Sequence, residues 1–80
     1  DGEYNARRAD CEAAARALGV VSLRSADTAM ICSAVLPPVV ARRALHVVEE
    51  IARVREAADA IESGDIARMG ALMRASHASL

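Results

Sequence analysis

Apolar side chains recur every three or four positions along most of this chain, the spacing of one helix face rather than the alternation of a strand. Tyr4, Cys11, Ala14, Ala15 and Leu18 share such a face and predict a helix over 3–18, while Arg7, Asp10, Glu12 and Arg16 fall mostly elsewhere. Gly19 stands where a helix end favours a residue at positive φ. Val20 to Arg24 then reads as an extended or single-turn connector that pins Val21 and Leu23 into apolar surface. A shorter helix is expected over 27–35, with Asp27 capping its free amides. Leu36-Pro37-Pro38 ends it, because a residue before proline is pushed out of the α region, and the same prolines suit a first helical turn.

The longest predicted element covers 38–63. Val40, Ala44, Val47, Ile51, Val54, Ala58 and Ile61 form one apolar stripe, widened by Leu45 and Val48. At 1.5 Å per residue such a rod is about 39 Å long. The other helices of so short a chain do not cover that stripe over its whole length, so part of it is expected to face a partner. Glu49 and Arg53 stand four apart in the favourable order for an ion pair. Ser63-Gly64-Asp65 is a stop and restart, with Gly64 just past one helix and Asp65 capping the next. Ile66, Met69, Gly70, Leu72, Met73, Ser76, His77 and Leu80 repeat at helical spacing, and Gly70 leaves room for close approach. The expected fold is therefore all-α: about four helices, with 38–63 and 65–80 paired as an antiparallel αα-hairpin and no strand, repeat or low-complexity tract.

Composition narrows the picture. The 80 residues include nineteen alanines and no Phe or Trp, so the core is broad in methyl groups and poor in large anchors. Stability is expected to be marginal for the chain alone, since alanine buries little surface against the backbone entropy of ordering. Ten arginines and eleven acidic residues leave a net charge of −1, with no lysine. That balance argues against nucleic acid as the main partner. It also excludes a P-loop lysine, a lysine base or a Schiff base within this segment. No apolar run has membrane-spanning length, and no signal-peptide pattern is visible. Beginning at Asp1-Gly2-Glu3, the chain reads as trimmed or excerpted.

Few residues invite chemistry. Cys11 and Cys32 lack metal-site spacing and are read as reduced, partly buried thiols. A Cys–His nucleophile pair has no supporting pattern. His46 reads as a hydrogen-bonded packing residue, and His77 as a cation at a helix C-terminus. Arg7-Arg8 and Arg42-Arg43 fit phosphate in principle, but two isolated pairs amid acidic residues better fit ion pairs that orient helices. Glu49, Glu50 and Asp65 read as a solvated face and an N-cap rather than as metal ligands. Tyr4, the one aromatic residue, combines an apolar ring with a polar tip, as sugar contacts do; the residues alone favour a half-buried structural tyrosine.

Three stretches together resemble an internal part of galactokinase, a member of the GHMP small-molecule kinases. They are Glu3-Tyr4-Asn5 with Arg7-Arg8 and Cys11-Glu12; Arg42-Arg43-Ala44-Leu45-His46-Val47-Val48-Glu49-Glu50; and Gly64-Asp65 leading to Gly70-Ala71-Leu72-Met73 and Ser76-His77-Ala78-Ser79-Leu80. Leu18-Gly19-Val20 and Ser22-Leu23-Arg24 add smaller matches, so the likeness runs from Glu3 to Leu80 in family order. Ile51 departs from it, since many relatives carry Asn after the second Glu.

The resemblance implies that residues 1–80 are one helical segment of an α+β kinase C-terminal domain. The parent would be a cytoplasmic, ATP-dependent enzyme that phosphorylates galactose at its anomeric hydroxyl. It assigns Tyr4 to galactose contact, reversing the structural reading, and assigns no catalytic, cofactor-binding or metal-binding residue to the segment. ATP and Mg2+ would be bound by the remainder of the kinase chain, since the Gly- and Ser-rich ATP loop, the N-terminal sugar-binding region and the catalytic Asp are not among these residues. The isolated fragment is expected to be inactive. The alternative is a stand-alone helical oligomerisation or protein-interaction module derived from a sugar kinase, for which the long stripe would drive self-association.

Overall fold

In a computed structural model of the chain, residues 2–79 are described, and they form four α-helices and a single 3₁₀ turn. The order is α1 (Gly2–Leu18), the 3₁₀ turn (Leu23–Ser25), α2 (Thr28–Ser33), α3 (Pro38–Ser63) and α4 (Ile66–Ala78). No strand occurs among the described residues, so the fold is all-α. The chain divides into two compact units, the first ending at Glu49 and the second starting at Glu50, with α3 continuing through the division.

Helix ends follow from local hydrogen bonding. Gly19 has φ 73°, its N–H donates to the Arg16 carbonyl at 3.2 Å, and Val20 N–H donates to the Ala15 carbonyl at 3.0 Å. That pair of reversed bonds satisfies carbonyls which the end of α1 would otherwise leave open. The same motif closes α3. Gly64, at φ 72°, donates to Ile61, and Asp65 N–H donates to Ala60 at 2.8 Å. Asp65 then turns its side chain forward, its Oδ1 accepting from Arg68 N–H at 3.0 Å, and so starts α4. Asp27 starts α2 in the same way, its Oδ1 accepting from Met30 N–H at 2.8 Å. Pro38 opens α3, whose first helical bond runs from Ala41 N–H to the Pro37 carbonyl.

The first unit packs around Ala14 of α1, Leu23 of the 3₁₀ turn, Ile31 of α2, and Ala44 and Val48 of α3. Cys11, Leu18, Ala26, Leu36, Val40 and Val47 lie half-buried against this cluster. Three alanines (Ala14, Ala44 and Ala60) have no exposed surface, so helix backbones approach closely where the sequence supplies only a methyl group. In the second unit, α3 and α4 are joined by Gly64-Asp65 alone. Ala57 of α3 lines one groove with Leu72, Met73 and Ser76 of α4. Those residues lie about two turns from the link on either side, which is the register of an antiparallel αα-hairpin.

Three expectations are corrected. Leu23 is buried, but Val21 is fully exposed, because the 3₁₀ turn carries one side chain inward and leaves the other on the outside. Helix α2 stops at Ser33; Ala34 is extended at φ −89° and ψ 152°, and Val35 is exposed. Part of the α3 stripe is uncovered as expected, with Ile51 half-buried and Val54, Ala58 and Ile61 exposed, but the covered side beyond Val48 is Ala57 and Ala60, which the stripe did not include. The short link sets the azimuth of α4 and places it against the neighbouring face. Helix α4 ends at Ala78. The expected helical position of Leu80 lies outside the described residues.

Candidate functional site

Tyr4 lies in the first turn of α1, on the face that also carries Cys11, Ala14 and Leu18. That face is fully buried at Ala14, half-buried at Cys11 and uncovered at its N-terminal end, where Tyr4 is 63% exposed. The half-buried position expected from the residues is thus not adopted. The ring stands on the surface because the core contacts of α1 begin only at Cys11.

The charged side chains around it are engaged with each other. Arg7 pairs with Glu3 one turn back, and Arg8 Nε donates to Glu12 Oε1 at 3.1 Å one turn forward. Arg43 reaches Asp10 across to α1 at 4.0 Å. The sequence reading expects ion pairs that orient helices; Arg43 makes such a pair, whereas Arg7 and Arg8 pair within α1 and Arg42 is exposed on α3. In the second unit, Arg53 donates through Nε to Glu50 Oε1 at 2.8 Å, three residues away rather than the four expected for Glu49. Glu49 is half-buried on α3.

The other candidates fall in separate places. His46 is half-buried on α3, and His77 is exposed in the last turn of α4, where its charged form complements the negative helix end. Both cysteines are free thiols. Cys11 is half-buried, whereas Cys32 is exposed rather than partly buried, since short α2 presents only Ile31 fully to the core. Burial pushes the Cys11 thiol above its ordinary value, the carboxylates of Asp10 and Glu12 add to that, and the Arg43 guanidinium only partly opposes it. A thiol held in its neutral form is a poor nucleophile. Among the described residues, no three His, Cys, Asp or Glu side chains converge as a metal site. No buried side-chain nitrogen or oxygen there lacks a hydrogen-bond partner.

What the arrangement offers is recognition surface. One part is the exposed aromatic ring of Tyr4 beside carboxylate-paired guanidinium groups. The other, not anticipated as a paired feature, is the outer face of the α3–α4 hairpin, where Val54, Ile61, Ile66 and Met73 are all exposed. The helical spacing of those four residues is visible in sequence, and so is a shortage of cover for the α3 stripe; that Ile66 and Met73 of α4 are uncovered as well is not. No helix of the described residues is long and apolar enough to cross a membrane. No family model matches the chain.

Proposed function

We propose that these residues are the helical part of the C-terminal domain of a galactokinase, in which the parent enzyme transfers the γ-phosphoryl group of MgATP to the anomeric hydroxyl of galactose. The observation that carries this reading is the ordered agreement of three separated motifs, around Tyr4, Arg42-Arg43 and Ser76-His77, with the family pattern. In this reading Tyr4 contacts the sugar. Its exposure supports that role, because a ring at the surface can cover one face of a neutral hexose while its hydroxyl fixes orientation. Pairing of Arg7 with Glu3 and Arg8 with Glu12 leaves the neighbouring surface nearly neutral, which suits an uncharged substrate.

ATP, Mg2+ and the groups that promote transfer belong, in this proposal, to the rest of a cytoplasmic kinase chain, and the helices act as a supporting wall. Phosphoryl transfer depends on positioning and charge stabilisation, so a wall without those groups is inactive. The purified 80-residue chain should release no galactose-dependent ADP in a coupled assay; turnover would sink the assignment. In the intact kinase, Tyr4→Phe should raise the galactose KM while leaving the ATP KM unchanged. Sugar kinetics indifferent to that change would remove Tyr4 from the site.

A further inference from the structure

The exposed apolar residues of the second unit share one side of the hairpin. On α3, Ala57 and Ala60 face α4, and Val54, Ala58 and Ile61 lie about a quarter turn further round. On α4, Leu72 and Ser76 line the groove with Ala57; Met73 borders the same groove but is mostly exposed, and it and Ile66 lie about a quarter turn round in the same sense. Because the helices run antiparallel, equal rotations bring both stripes to the same side. Val54 (66%), Ile61 (64%), Ile66 (85%) and Met73 (65%) therefore form one continuous uncovered apolar face.

We infer that this face docks a second copy of the same chain, with the two α3 helices crossing antiparallel at Ala58. The sequence of the face is complementary to itself in that arrangement. Ile51, Val54, Ala58 and Ile61 follow the alternating four- and three-residue spacing of a two-helix seam. Arg55 and Glu62, both exposed, follow Val54 and Ile61 directly and occupy equivalent flanking positions seven residues apart. Antiparallel pairing about Ala58 brings Arg55 of one copy to Glu62 of the second, and the two-fold axis repeats the pair. It also brings Val54 to Ile61 of the second copy. Alanine at the crossing allows close approach, and Ile66 and Met73 widen the apolar contact beside it. Flanking charge and apolar spacing thus both select an identical partner. A parallel pairing would put the two copies of this flank on opposite sides of the seam, so Arg55 and Glu62 would not meet.

This inference concerns the 80-residue chain and does not rest on the sugar-kinase reading. Sedimentation equilibrium of the full chain should show a reversible dimer. Glu62→Arg should raise its dissociation constant by about tenfold, and the exchanged double variant Arg55→Glu with Glu62→Arg should restore it. Ala58→Glu should give a monomer with unchanged helical circular dichroism, because the position is exposed in the monomer. A wild-type chain monomeric to millimolar concentration would overturn the proposal, as would a dimer indifferent to Glu62→Arg. A chain that stays monomeric alone and binds only an added segment of kinase polypeptide would also overturn it, assigning the face to that segment.

Discussion

The Nε of Arg43 on α3 lies 4.0 Å from Oδ2 of Asp10 on α1, and both side chains are only about a quarter to a third exposed. This contact ties together two helices distant in sequence at the rim of the first unit's core. Exposed ion pairs contribute about 0.2–1 kcal/mol, and a separation of 4.0 Å, beyond hydrogen-bond reach, puts this one toward the lower end. A double-mutant cycle of Arg43→Ala and Asp10→Asn, followed by urea unfolding, should give a coupling energy in that range. The coupling should shrink at high salt.

Asp27 caps a helix of only six residues, for which a free amide is a large share of the total bonding. Asp27→Ala should cost about 1 kcal/mol, and Asp27→Ser should recover most of it. Chemical denaturation monitored by circular dichroism measures both.

Gly64 holds φ 72°, and a Cβ built there would meet no atom within 4 Å. The penalty of Gly64→Ala is therefore conformational rather than steric crowding, about 1–2 kcal/mol, and Gly64→Asn should cost less. Gly2→Ala, at a site equally open but without the positive φ, should cost nothing measurable in the same denaturation experiment.

Ala60 has no exposed surface on α3, whereas Ala52 on the same helix is exposed. Ala60→Leu should destabilise by about 1–3 kcal/mol, because the hairpin must separate to admit the larger side chain. Ala52→Leu should leave the unfolding midpoint nearly unchanged.

Cys11 and Cys32 should differ in reactivity. The Cys11 thiol is raised by burial, so iodoacetamide should modify exposed Cys32 first at neutral pH, as mass spectrometry of the peptides would show. The raised value means that the folded state favours the protonated thiol. Its contribution to stability is complete below the ordinary thiol value of 9.0 and declines as pH rises through the higher folded value. Cys11→Ser should flatten that alkaline loss.

Much of this molecule is local chemistry and was readable from residues alone. Asp27 and Asp65 are caps, Gly19 and Gly64 are helix ends and Pro38 opens α3, because each acts on amides or torsions within a few positions of itself. Helical periodicity likewise located α1, α3 and α4. The candidate site was less legible. Tyr4 could be singled out by type and motif, but its exposure depends on where the core cluster stops, which is a property of three other elements.

Periodicity states that a helix has an apolar side; it does not state which neighbour arrives or at what angle. Val21 and Leu23 were equivalent as letters, and the 3₁₀ turn separated them into outside and inside. On α3 the two-residue link at Gly64-Asp65 carried α4 onto Ala57 and Ala60, leaving Val54 and Ile61 uncovered. Sequence by itself therefore determined the helices and, except at the end of α2, their boundaries, through hydrogen bonds and torsions that span at most a turn or two. Only the tertiary structure decided which faces meet, because that depends on the direction in which each connection sends the next helix, and on the alanines that let the backbones close.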